Sequence, residues 1–234
     1  MALVLTPELV ARAHRAVIDL GPSPGVTYLQ EEDYGRWIDQ VLRAWEQEAG
    51  FWVFAYGSLI WKPEFVPVEE RLAYAPGWHR AFALKLTRWR GTPERPGLML
   101  TLDRGGSCRG IAYRLQEGDL RETLERLLRR EMSANPPSNV PRWIWLKTSK
   151  GSLKALAFTV SRNAPAYAGG LSTGEVVEAL ATAVGHWGSC AEYLHNTVTH
   201  LEDKGIRDGR LWRLQAQVAE RLAGMDGASD VTLR

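Results

Sequence analysis

FWVFAYGSLIW, residues 51–61, starts as a buried β-strand and breaks at Tyr56-Gly57-Ser58. The apolar run Trp52 to Ala55 suits a strand covered on both faces. Gly57 then allows backbone angles, or a close ligand approach, that a side chain would block. Two readings follow. The break is a plain strand end, or it is a turn whose backbone N–H groups hold a carboxylate or an oxyanion, with the Tyr56 and Ser58 hydroxyls nearby. A serine nucleophile is not indicated, because the Gly-x-Ser-x-Gly elbow is missing and His79, His186, His195 and His200 are scattered.

Downstream of residue 51 the pattern predicts strands at 51–56, 71–75, 79–89, 98–103, 109–115, 142–147 and 153–160. One helix, at 118–132, interrupts them. GTPERPG at 91–97 and SANPPSNVP at 133–141 read as loops, since Pro136 and Pro137 cannot continue a helix. Helices at 174–184, 189–204 and 209–223 close the chain. Upstream, helices at 7–19 and 31–48 flank GPSPG at 21–25, and Tyr34, Trp37, Ile38, Val41, Leu42 and Trp45 recur at helical spacing. Helices, then strands around one embedded helix, then helices argue an α+β protein rather than regular βα alternation. The expected division is an N-terminal helical extension over 1–50, a main domain over 51–224 and a tail over 225–234.

With 234 residues, 45% of them hydrophobic and 24% charged, the chain can bury a full core. Its 29 basic and 27 acidic residues are interspersed, so no stripe suited to nucleic acid is visible. The ten tryptophans read as core and strand packing. Two cysteines, Cys108 and Cys190, are a poor disulfide framework, and no Cys/His spacing suits zinc. The start, MALVLTPELVARAHRAV, has no basic residue before its short apolar run and reads as neither signal peptide nor membrane anchor. A cytoplasmic protein without membrane partners is expected; the oligomeric state is left open.

The helix GDLRETLERLLRREM carries one misplaced charge. At about 100° per residue, Leu120, Leu124, Leu127 and Leu128 share one face and Glu131 falls about 20° from Leu120, inside that arc. Every other charged residue of the segment from Arg121 to Arg130 falls outside it. A carboxylate without partners is costly to bury, so the position needs a reason. It is a fraying last-turn residue, a partner for a buried arginine, or a catalytic acid/base, and the wheel alone does not choose.

VFAYGSLIW, then GWHRAFALKLTRWRGTPERPGLMLTL, GGSCRGIAYRL and LLRREM, resembles in order and spacing the ChaC family of γ-glutamylcyclotransferases, over about residues 51 to 204. The resemblance implies a mostly antiparallel, barrel-like sheet with flanking helices. The implied activity is cyclisation of the γ-glutamyl group of glutathione, giving 5-oxoproline and Cys-Gly without a metal or other cofactor. Alternatives are other γ-glutamyl amino acids or amines, or a silent relative that binds a γ-glutamyl metabolite or a protein. The family's substrate loop falls on Val53, Phe54, Ala55, Tyr56, Gly57, Ser58 and Leu59, its acid/base glutamate on Glu131, and a C-terminal motif on Tyr193. Three departures stand out. Ala55 replaces a usual glycine, Cys190 replaces a typical asparagine, and the segment after Met132 is long and lacks the family's tyrosine before the next strand.

Overall fold

The computed structural model describes residues 2–227, so most of the expected tail over 225–234 lies outside the described residues. Five strands form a closed barrel in the order β1 (Trp52–Ala55), β3 (Gly97–Arg114), β2 (Glu69–Leu86), β4 (Asn139–Thr148) and β5 (Gly151–Val160). β1 runs antiparallel to β3, β2 to β4 and β4 to β5, while β1 and β5 close the ring in parallel with Val53 level with Leu156. Closure removes the exposed edges that an open sheet would leave.

Four of the strands expected from the sequence are really two. The segments 71–75 and 79–89 are one strand, β2, and 98–103 and 109–115 are one strand, β3. Pro76-Gly77 and Gly105-Gly106 were read as breaks, yet they bend the strands without ending them: Gly77, Gly105 and Gly106 have φ of 79°, 103° and 66°. His79 Nδ1 lies 3.0 Å from the Gly105 carbonyl oxygen, which ties the two bends together.

The chain divides into two compact units. One takes in Gly25–Ala81 and Leu100–Tyr167, with most of the barrel, α2 (Glu31–Arg43) and α3 (Leu120–Glu131). In it, Trp45 packs edge-on against Phe51 and Phe51 against Trp143, so the segment between α2 and β1 packs on β4 at Trp143. α2 is fixed to α3 by Arg129 to Glu31, by Arg121 to Asp39 at 2.8 Å, and by the Tyr34 hydroxyl, which donates to the Met132 carbonyl at 2.9 Å. The leucines of α3 that share its apolar face are all buried.

The other unit takes in Met1–Pro24, Phe82–Met99 and Ala168–Arg234. Its described part contains α1 (Pro7–Arg12), the hairpin tip between β2 and β3, α4 (Thr173–Thr182), a two-residue pair β6 (Val184–Gly185) and β7 (Gly188–Ser189), α5 (Cys190–Asp203) and α6 (Gly209–Ala223). The helix expected over 7–19 stops at Arg12, with Ala13 as its C-cap, and Ile18 and Leu20 beyond it are 83% and 91% exposed. The helix expected over 31–48 ends at Arg43 and is followed by a short 3-10 turn, Gln47–Ala49.

Candidate active site

The opening strand stops because its next carbonyl is taken. Arg80, only 6% exposed, donates from Nε to the Tyr56 carbonyl at 2.6 Å and also to the Arg109 carbonyl, so β1 cannot extend its ladder past Ala55. The Tyr56 hydroxyl donates to the Phe158 carbonyl at 2.8 Å and pins the turn to β5. Gly57, at φ −144° and ψ −127°, is in neither the strand nor the helical region. Ser58–Ile60 then form a 3-10 turn, closed by Ile60 N–H on the Gly57 carbonyl at 2.9 Å and Lys62 N–H on the Ser58 carbonyl at 2.8 Å.

Glu131 is the last residue of α3, and its side chain is 12% exposed, as its place inside the leucine arc requires. Burial raises its carboxyl above the usual carboxylate range; the Arg130 guanidinium opposes that and Glu64 adds to it. The carboxylate is not absorbed by its neighbour. Arg130 Nε stands 3.4 Å from Glu131 Oε1, beyond the normal hydrogen-bond range. The shorter bonds of Arg130 go elsewhere: to Ser58 Oγ at 2.9 Å, to Glu64 at 2.8 Å and to the Lys62 carbonyl. One guanidinium therefore joins the Tyr-Gly-Ser turn to the buried acid.

The structure thus brings Tyr56, Gly57, Ser58 and Leu59 together with Glu131 in one compact unit. Val53, Phe54 and Ala55 are fully buried and paired with Tyr113, Ala112 and Ile111 of β3, so they form the rigid base of the turn. Tyr193 belongs to the other unit, where its ring meets Phe82 at 6.2 Å and the Arg90 guanidinium at 5.6 Å. Among the described residues, no three His, Cys, Asp or Glu side chains are placed to hold a metal ion. Among the described residues, no helix is long and apolar enough to cross a membrane.

Sequence reasoning missed Arg80 and Arg130. On the wheel Arg130 falls on the polar side, but a long side chain can lie back along the helix and bring its head to a partner the wheel does not show. For Arg80, a lone arginine in a strand of alternating pattern, no local signal was available.

A small closed barrel, with a buried carboxyl at a helix end beside a glycine turn at a strand end, is an arrangement suited to acid/base chemistry on a small polar molecule. The chain belongs to the ChaC-like protein family, whose model matches residues 51–221. It is 36% identical over 177 residues to the glutathione-specific γ-glutamylcyclotransferase of Escherichia coli, covering 75% of this chain and 76% of that one. It is 35% identical over 151 residues to γ-glutamylcyclotransferase 2-1 of Arabidopsis thaliana, covering 61% and 70%. The crystal structure of a yeast γ-glutamyl cyclotransferase specific to glutathione shares the fold, with a TM-score of 0.66 at 21% identity over 74% of this chain and 96% of that one.

Proposed function

We propose that this chain cyclises the γ-glutamyl unit of glutathione, releasing 5-oxoproline and Cys-Gly. The observation that carries the reading is the buried Glu131 carboxyl beside Arg130, whose guanidinium bonds to Ser58 of the Tyr56-Gly57-Ser58 turn. The glutamyl α-amine and γ-carbonyl belong to one residue of the substrate. Curling that residue makes the attack intramolecular, which is worth up to about 7–11 kcal/mol when the geometry is right. The amine nitrogen bonds to the γ-carbon, the old amide C–N bond breaks, and a five-membered lactam leaves. Glu131 accepts the proton that the amine loses and returns it to the departing cysteinyl nitrogen, so no water is consumed. A desolvated carboxyl suits both halves of that task, since its raised affinity for a proton brings it nearer to neutrality.

The main chain of the turn from Tyr56 to Leu59, carried on the base formed by Val53, Phe54 and Ala55, receives the glutamyl group in this account. The N–H groups of Ile60, Trp61 and Lys62 are engaged inside the turn, so the donors for substrate are drawn from Tyr56 to Leu59. Tyr193 is proposed as a site wall, residues 51–224 as the catalytic domain, 1–50 as an extension and 225–234 as a tail. A cytoplasmic location, no nucleic-acid partner and no cofactor complete the proposal. The test is product analysis with purified protein and glutathione. Equal amounts of 5-oxoproline and Cys-Gly support it; free glutamate, or no turnover, refutes it. Faster turnover of γ-glutamyl-alanine than of glutathione would move the substrate to other γ-glutamyl compounds.

A further inference from the structure

Asn139 opens β4 at 1% exposure, and among the described residues neither its Nδ2 nor its Oδ1 has a hydrogen-bond partner. Buried polar side chains are nearly always paired, so an amide with both ends empty needs an explanation. Its position supplies one. Asn139 pairs with Val160, and β5 runs parallel to β1 with Leu156 level with Val53. Phe158, two residues back along β5, pairs with Pro141, and its carbonyl accepts from the Tyr56 hydroxyl. Asn139 therefore stands at the rim of the barrel where the glycine turn emerges.

The face is also defined. Side chains alternate along a strand, so Asn139 shares a face with Trp143, against which Phe51 packs. α2 is bonded through Tyr34 to Met132, the residue after Glu131. Trp143 pairs with Leu156, which is level with Val53, so Asn139 leaves the sheet on the same face as Val53 at the base of the glycine turn. The indole N–H of Trp143 is also without a hydrogen-bond partner, but it lies about 13 Å down the strand and serves a different neighbourhood.

We propose that the Asn139 amide grips the α-amino-acid head of the γ-glutamyl substrate, Nδ2 donating to its carboxylate and Oδ1 accepting from its amine. The proposal rests on the cyclotransferase reading and specifies which side chain holds the reacting end. An amino-acid head offers an acceptor and a donor side by side, and asparagine offers the complementary pair. No protein neighbour fixes which way the amide faces; the substrate does. Being neutral, the amide leaves the proton to Glu131.

The experiment compares the wild type with Asn139→Leu and Asn139→Asp, reading kcat, KM and Tm, and repeats the kinetics with 4-aminobutyryl-Cys-Gly, which lacks the α-carboxylate and cyclises to 2-pyrrolidinone. Removing a hydrogen bond to a charged group predicts a loss of about 10- to 100-fold in kcat/KM on glutathione for both variants, mostly in KM. The Leu variant should melt no lower than the wild type, because it removes two unsatisfied buried atoms. With the truncated substrate, which keeps the amine and lacks the carboxylate, the Leu variant should lose clearly less than it does on glutathione. A folded variant with wild-type KM on glutathione overturns the proposal. So does equal loss on both substrates, and so does failure of both variants to fold, since the amide is then structural. A wild type that makes no 5-oxoproline refutes the cyclotransferase reading itself, an outcome that product analysis separates from the others.

Discussion

Replacing Arg130 with methionine removes a cation that touches both halves of the site. The guanidinium, 18% exposed, donates to Ser58 Oγ at 2.9 Å and to the Lys62 carbonyl, and pairs with Glu64 at 2.8 Å. Hydrogen bonds from a charged donor are worth about 1.5–3 kcal/mol when fully buried, but water reaches this one, so about 1 kcal/mol each is a fair value for Ser58 and Lys62. The Glu64 partner is 34% exposed and adds up to about 1 kcal/mol. The total, about 2–3 kcal/mol, corresponds to a fall in Tm of about 5–10 °C for a chain of this size. A second effect is independent of the first. Arg130 holds the Glu131 carboxyl down against desolvation, so its loss raises that carboxyl further and moves the ascending limb of the kcat/KM profile to higher pH. Arg130→Lys should restore the limb but not the melting temperature, because an ammonium supplies the charge without the fork. A methionine variant that melts like the wild type with an unmoved limb would refute the reasoning.

Gly110→Ala places a Cβ 2.4 Å from the Ala55 carbonyl oxygen and 2.7 Å from the Phe54 ring, so β3 must shift from β1 beneath the substrate turn. A loss of about 2–3 kcal/mol in urea unfolding is expected, and wild-type stability would contradict it. Glu131→Gln should stabilise the fold increasingly as pH rises. The folded-state carboxyl titrates above its unfolded value, so its favourable contribution is complete below the ordinary carboxylate range and is lost as pH climbs through the raised titration, while glutamine does not titrate. Urea unfolding of both proteins from about pH 5 to about pH 8 reads the gap, and a gap that narrows with pH sinks the argument.

What the sequence made legible was whatever repeats locally. The leucine arc of α3 placed Glu131 inward because a helix of period 3.6 commits each residue to a face. The strand at Trp52–Ala55 was visible because a short apolar run has few other uses. The end of that strand was visible too, but its cause was not: Arg80 lies 24 residues from the carbonyl it takes. The same holds for Arg130 and Ser58, 72 residues apart, and for α2, whose Tyr34 supports the residue after Glu131 across 98 positions. The two long strands were split because Pro and Gly signal turns on average, whereas here positive-φ glycines bend a strand that barrel pairing keeps intact. Asn139 was hidden inside a segment read as loop, since only the register with Val160 reveals that its amide is enclosed.

The central claim is that Glu131 carries the proton. Glu131→Gln keeps the shape and removes the base, so the direct measurement is kcat for 5-oxoproline formation from glutathione in the two proteins, with circular dichroism confirming that both are folded. A fall of about 10²- to 10⁴-fold with KM little changed is the expected result. A folded glutamine variant turning over at the wild-type rate would contradict the account.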